Sequence, residues 1–570
     1  MSEVYGPGEL APIPDDLSIV QFMHDHHHST RPVPKDFAPW FIEEETGRQI
    51  GYEDVKTRTN ALAQALHARW GIGELQICIF SPNHVDYPIV TWAAFRLGAI
   101  ISAANPAYTA DELVYQLSAT HAKLLVVHPW NLAAGRAAAQ AVGLPAARIV
   151  LLERVPHAGL VTLAELVAAG AAVPRTFVER ALRPGEGRTK LAFLSFSSGT
   201  TGLPKAVQIP HFSLIANVVQ IASFAKTDPH PPKEHRYRPG DVSMAVLPFY
   251  HIYGQVINMH FMPFYGYSVV IIPKFDFLGM LNSIQRYRIN FLPVVPPMIV
   301  ALCKHPAVQK YDLSSVRHIA SGAAPLSSEL TLQLAKVLPN ASVGQGYGMT
   351  ETCTAISFPQ IDMHICTPGS AGVLLPGVVV RVVREDGALA PVGETGELVV
   401  YSPSNAVGYL NNDEATRETF RDGWVHTGDE VYVNEKKELF VVDRIKDLIK
   451  VKGFQVAPPE LEGHILELPD VSDVCVVGVA DEYSGEVPRA FVVPSAGAQE
   501  RIKGSADEAQ RIKDTIIKHI ADHKVHYKRL AGGVEFIDAV PKNPSGKILR
   551  RILRDRTRAA QAASASKAKL

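Results

Sequence analysis

A chain of 570 residues is longer than one hydrophobic core supports, so two or more lobes are expected, and an apolar content of 47% gives them enough to bury. Basic and acidic residues balance, 56 against 57, with no long basic run, which argues against nucleic acid or an anionic membrane surface as partners. Five scattered cysteines, Cys78, Cys303, Cys353, Cys366 and Cys475, form no CxxC pair, which favours a reducing compartment and argues against a structural zinc site.

The N-terminus, MSEVYGPGELAPIPDD, is acidic and Pro-rich, unlike a secretory signal. The HDHHH cluster near residue 24 reads as a polar surface segment with no metal role. GYEDVKTRTNALAQALHARW (51–70) reads as an amphipathic helix, and KLLVVHP (123–129) as a short buried strand. The apolar run Leu191 to Phe196 reads as another strand, ending in a hydroxyl- and glycine-rich loop, and SVVIIP (268–273) as a third. The longest apolar stretch, Phe261 to Pro273, is too short and too interrupted to span a bilayer, so a soluble α/β protein is expected.

From about residue 370 the texture changes to short strands with Gly turns: AGVLLPGVVVRVVRED, GELVVYSP and KKELFVVDR. A small α+β unit follows from about residue 447, with strands in IKVKGFQV, VSDVCVVGV, AFVVPS and GGVEFID, a helix start at Pro458 and Pro459, and a long helix ADEAQRIKDTIIKHIADHK. The tail RTRAAQAASASKAKL is low-complexity and is expected to be disordered.

Residues 194–205, LSFSSGTTGLPK, carry the clearest chemistry. Ser197, Ser198, Gly199, Thr200 and Thr201 offer amides and hydroxyls to an anion, and Lys205 offers a point charge, so a polyphosphate is the natural ligand. The spacing is not that of a Walker A loop: Gly199 and Gly202 are three apart, and Lys205 follows Pro204. GQGYGMTET (344–352) combines glycines that admit a flat ligand, Tyr347 to stack on a base and Glu351 as a hard oxygen ligand for magnesium, with a plain Gly-rich turn as the competing reading. Asp429 in WVHTGD and Arg444 in FVVDR are plausible partners for ribose hydroxyls, though each alone reads equally as a turn Asp or a surface Arg.

These strings resemble the adenylate-forming superfamily of acyl-CoA synthetases, 4-coumarate:CoA ligases, beetle luciferases and peptide-synthetase adenylation domains. The resemblance covers roughly residues 30–553 with every core motif in order, and is nearest the 4-coumarate:CoA ligase-like group; the loop ends PKA where the family has PKG, the departure falling at Ala206. It implies a large N-terminal AMP-binding domain (1–445) of two α/β subdomains plus a β-barrel, a small mobile C-terminal α+β domain (446–553) hinged at Lys446, and a tail (554–570).

By resemblance, Ser197 to Thr201, Lys205, Gln345, Gly346, Tyr347, Thr350, Asp429, Arg444 and Lys446 would contact ATP or AMP, and Thr200 and Glu351 would hold Mg2+. Lys547, in PKNPSGKILRR, would be the adenylation lysine, Lys450 and Gln455 a catalytic pair, and His251, in LPFYHIYG, a gating residue of the pocket. Tyr253, Ile257, Ala323 and Phe358 would face the acyl-adenylate; Lys274, Lys452 and Gly453 would contact CoA. Without the resemblance, His251 reads as a core histidine and the lysines as surface residues.

The implied activity is an ATP-dependent carboxylate:CoA ligase passing through acyl-AMP and releasing AMP and pyrophosphate. A luciferase-like oxygenase and a stand-alone acid-adenylating enzyme are the alternatives. Hydroxycinnamate-specific members of the resembling group tend to carry Lys and Asn where this chain has Ala320 and Val256, so a fatty acid or an unsubstituted aryl acid of cinnamate or phenylacetate type is expected. The terminal Ala568-Lys569-Leu570 is a variant of the Ser-Lys-Leu address, pointing to the peroxisomal import receptor and a peroxisomal location, with the cytoplasm otherwise; a monomer or homodimer is expected.

Overall fold

The computed structural model describes residues 3–155, 158–197, 204–452, 454–481, 483–543 and 546–567, with side chains as far as residue 559. Two seven-stranded sheets make most of the large lobe. The first runs in the order 205–210, 191–197, 100–104, 76–80, 124–127, 149–151, 161–162. All its neighbours are parallel except the hairpin formed by Leu191–Ser197 and Lys205–Pro210. The second runs 342–345, 318–321, 291–294, 242–245, 268–271, 41–43, 49–50, parallel except at its last pair.

Continuous apolar runs such as LLVV and SVVI form these strands because a parallel sheet is covered on both faces and exposes neither side of a strand to water. The covering helices include Tyr52–Trp70, which ends on Gly71 in the left-handed conformation (φ 61°). Helix His211–Ala225 and the π-helix Gly254–Phe261 are buried along their whole lengths and pack together.

The expected β-barrel takes the form of a curled antiparallel sheet of six strands, in which Trp424–Val433 pairs with Leu439–Arg444. The chain then passes to a second sheet of five strands that starts at Ile449–Val451, antiparallel except where Val534–Phe536 pairs with Gly485–Pro494; the turn between the two sheets holds Lys446. In this small domain Val471–Asp481 and Gly485–Pro494 form a long hairpin, flanked by helices Pro458–Ile465 and Ala506–His523. The latter buries Ile512, Ile516 and Ile520 at four-residue spacing.

Two sequence expectations are corrected. The HDHHH segment is not simply a polar surface: His24 is wholly buried among Trp40, Tyr52 and Trp92, with ring centroids 5.6, 6.2 and 4.9 Å away. His28 is buried too, its ring nitrogens within 2.8 Å of Thr30 Oγ1 and the Pro12 carbonyl. Burial holds His24 well below the usual imidazole range, so it stays neutral. The tail is helical, Arg550–Lys567, because its Ala, Arg and Lys residues favour helix and continue one already begun inside the small domain. The terminal Ala568-Lys569-Leu570 lies outside the described residues.

Candidate functional site

A cavity of about 660 Å³ opens where the two parallel sheets meet the small domain. Strand Leu191–Ser197 delivers Ser197 to its rim, and Lys205 stands opposite Ser197 across the hairpin. Ser198, Gly199, Thr200 and Thr201, between them, lie outside the described residues. Ala206 has ordinary strand backbone, with its methyl buried and its carbonyl accepting from Leu410 N, so glycine is not required there.

A tight hairpin forms the next wall: Tyr347–Met349 pairs antiparallel with Thr354–Phe358. Gly348 permits it, since a Cβ there would lie 1.6 Å from the Thr354 carbonyl oxygen. Gly346, Tyr347, Thr350, Glu351 and Phe358 all line the cavity. The buried Glu351 carboxylate accepts a hydrogen bond from Tyr409 at 2.8 Å, and Lys205 Nζ sits 5.1 Å from the centroid of the same ring. Tyr409 thus links Lys205 to Glu351. It lies in no motif and has no periodic signal, so sequence reading missed it.

Asp429 and Arg444 face each other across paired strands, Nε to Oδ1 at 3.2 Å. Tyr347 donates its hydroxyl to the other oxygen of Asp429 at 2.5 Å. Burial, reinforced by the charge of Asp429, pushes the Tyr347 phenol well above its usual range, so the ring remains a neutral donor.

The small domain contributes Lys547. Its hairpin is closed by paired Lys542 and Ile548, Asn543 Oδ1 accepts from Lys547 N at 2.8 Å, and Gly546 turns the chain at φ 82°. A Cβ on Gly546 would stand 2.9 Å from Val295 Cγ2 of the large lobe, so the close seating of this loop depends on glycine. Burial lowers the Lys547 ammonium to about 8; nearby Arg444 adds to the shift, while Asp429, Glu351 and Asp447 oppose it. His251, in the same cavity, is lowered to about 4 by burial and then by Lys547, and is neutral near pH 7.

The remaining wall is largely apolar: Ile252, Tyr253, Ala320, Ala323, Ala355, Phe358 and Pro359. Tyr253 donates to the Ala320 carbonyl at 3.4 Å, and Ala323 is held at φ 67°, a strained conformation for alanine. Ser321 Oγ, buried with no hydrogen-bond partner among the described residues, is a polar exception on this wall.

Several sequence-selected residues stand elsewhere. Gln345 directs its side chain to the backbone of Leu326, accepting from that amide at 2.8 Å, and does not line the cavity. Ile257 is a core residue of the buried π-helix, and Lys274 is exposed beyond strand Ser268–Ile271. Lys446 is exposed in the turn between the domains, its carbonyl accepting from Arg554 at 3.1 Å. Lys450 and Gln455 are cross-strand partners on an exposed hairpin, and Lys452 lies over the Tyr483 ring at 4.0 Å. With its amide nitrogen turned toward Glu430, Gln455 donates to that carboxylate at 2.9 and 3.1 Å, holding this hairpin against the curled sheet rather than at the cavity. Gly453 lies outside the described residues.

Comparison with known proteins gives a consistent answer. Residues 27–410 match the AMP-binding enzyme family model, and residues 460–547 match the AMP-binding enzyme C-terminal domain. The chain is 35% identical over 552 residues to 4-coumarate–CoA ligase 5 of Oryza sativa subsp. japonica, covering 95% of each. It is 37% identical over 509 residues to 4-coumarate–CoA ligase 2 of Nicotiana tabacum, covering 88% of each. Its fold resembles that of ATP-bound MatB from Rhodopseudomonas palustris, with TM-score 0.79 and 26% identity over 95% of this chain and 99% of that one.

Proposed function

The chain belongs to the family of AMP-binding enzymes, and from that premise we propose that it is an AMP-forming acid–CoA ligase whose acid has an apolar far end. The observation that carries this reading is the convergence of Lys547, from the small domain, with Tyr347, Glu351 and Arg444 of the large lobe around one cavity with an apolar wall.

In the first half-reaction a carboxylate oxygen attacks the α-phosphorus of ATP, a new acyl–phosphate bond forms, and pyrophosphate leaves with the electrons of the broken P–O bond. The nucleophile is weak and charge accumulates on phosphate oxygens, so positioning and neutralisation dominate. Lys547 supplies a cation on the cavity wall, and Lys205 a second charge at the end of the phosphate loop. The Asp429 carboxylate, already anchored by Tyr347 and Arg444, is the acceptor available to ribose hydroxyls. Glu351 fits a magnesium site, being a buried carboxylate on the cavity wall with one oxygen held by Tyr409. With Thr200 it would hold the ion, which would supply Lewis-acid neutralisation of phosphate charge.

In the second half-reaction the CoA sulfur, having lost its proton, attacks the acyl carbon and AMP leaves. Lys450, Lys452 and Gln455 stand away from the cavity in the present arrangement. We infer that the small domain turns about the segment containing Lys446, withdrawing Lys547 and presenting that hairpin. One cavity would then serve both steps.

For the acid, the apolar wall around Ala320 supports a fatty acid or an unsubstituted aryl acid over a hydroxylated cinnamate, while Val256 is a core residue that does not line the cavity. AMP release across hexanoate, octanoate, phenylacetate, cinnamate and 4-coumarate, with and without CoA, tests both parts. CoA-dependent turnover with an apolar-ended acid leading is expected. Preference for 4-coumarate would overturn the substrate reading, and no AMP with any acid would overturn the ligase reading.

A further inference from the structure

Two helices of the small domain carry side chains at chelating spacings. Helix Pro458–Ile465 presents His464, with Glu467 three residues on, just beyond its end; helix Ala506–His523 presents His519 and His523, four residues apart. Such spacings place side chains on one helical face. The helices pack through Leu461, Ile465, Ile516 and Ile520, which belong to one apolar core, and this brings the two faces together.

The donor atoms of His464, Glu467 and His519 all lie within 4.8 Å of one another. His519 Nε2 is 3.2 Å from Glu467 Oε2, and His464 Nδ1 is 3.5 Å from Glu467 Oε1. An ion bound tetrahedrally at about 2.0–2.2 Å holds its ligands roughly 3.3–3.5 Å apart. Each imidazole therefore stands near ligand spacing from one oxygen of the Glu467 carboxylate, His519 from Oε2 and His464 from Oε1. His523 adjoins them, its ring centroid 4.6 Å from that of His519 and 6.2 Å from that of His464. Its Nδ1 bonds to the His519 carbonyl at 2.7 Å, which orients the ring and leaves Nε2 as the lone-pair nitrogen.

We propose that His464, Glu467 and His519 form a binding site for a divalent transition metal, zinc fitting best, with His523 packed beside it. Imidazole and carboxylate together suit this class of ion. The site is separate from the cavity and contained within the small domain, so it persists when that domain moves. The Leu466 carbonyl, between two of the ligands, accepts from Lys304 Nζ of the large lobe at 2.7 Å. A bound ion would stiffen the turn on which that interdomain contact is made.

The test uses the full chain, stripped with a chelator and titrated with Zn2+ against a chromophoric competitor, with Co2+ as a spectroscopic probe. One tight equivalent and visible Co2+ bands are expected. His519→Ala and His464→Gln should each weaken Zn2+ binding by more than about tenfold, since even the loss of a ligand's supporting partner costs roughly 10–100-fold. A variant carrying His26→Gln and His27→Gln should bind as the unaltered chain does. Unchanged affinity in both small-domain variants, absence of a tight equivalent, or loss of binding only in the His26/His27 variant would overturn the proposal.

Discussion

Tyr347 and Asp429, 82 positions apart in sequence, are joined by a hydrogen bond of 2.5 Å from the phenol to a carboxylate oxygen. Arg444 holds the other oxygen, so this one carboxylate ties the Gly-rich hairpin to the end of the curled sheet, immediately before the chain crosses to the small domain.

Asp429→Ala removes that tie together with the proposed ribose acceptor. A hydrogen bond to a charged group contributes about 1.5–3 kcal/mol. Steady-state kinetics should show kcat/KM for ATP falling by roughly 10–100-fold, whereas thioester formation from supplied acyl-AMP should fall less. Unchanged ATP dependence would remove Asp429 from the nucleotide site.

Burial places the Lys547 ammonium at about 8, so the cation proposed to serve adenylation is present near pH 7 and is lost as pH rises through that value. The kcat/KM for ATP-dependent pyrophosphate release should therefore decline above about pH 8. Lys547→Arg, which stays charged, should be slower throughout but lack that decline. Identical alkaline limbs in the two proteins would assign the titration to another group.

Asp443 is the penultimate residue of strand Leu439–Arg444, before the interdomain turn. Burial raises its carboxyl to about 7, Asp447 and Glu462 add to the rise, and Arg550 opposes it. The folded-state value lies above the unfolded one, so folded protein retains a proton that unfolded chain releases, and stability falls as pH rises from about 4 to about 7. Asp443→Asn should flatten this dependence and raise the melting temperature at pH 8, the effect being on the order of a few kcal/mol. A variant less stable than the parent at pH 8 would show that attraction to Arg550 outweighs desolvation.

Gly546 is needed in the present arrangement, by its φ of 82° and by its approach to Val295. Gly546→Ala adds about 1–2 kcal/mol of backbone strain, besides the contact with Val295. Adenylation should slow by roughly 5–30-fold, with thioester formation from acyl-AMP little altered. Equal slowing of both steps would show that the loop's shape matters in both arrangements.

Local patterns carried much of the fold. The helix expected at 51–70 runs Tyr52–Trp70, and the strand expected at 123–129 runs Leu124–Val127. The pairing of Phe41–Glu43 with Ser268–Ile271 was not legible, because partners more than two hundred residues apart leave no short-range signal. His24 was misread for the same reason: the aromatic rings that bury it come from distant segments, and polarity alone suggested a surface. At the site, motif residues such as Tyr347, Glu351, Arg444 and Lys547 were legible from chemistry and resemblance. Tyr409 was not, and Gln345, though selected, supports the Leu326 backbone instead.

The central claim is that one cavity serves two half-reactions and that Lys547 belongs only to the first. Lys547→Ala, assayed separately for pyrophosphate release from ATP plus acid and for thioester formation from synthetic acyl-AMP plus CoA, tests this most directly. Near-complete loss of the first activity and a largely intact second are expected. Equal loss of both would contradict it.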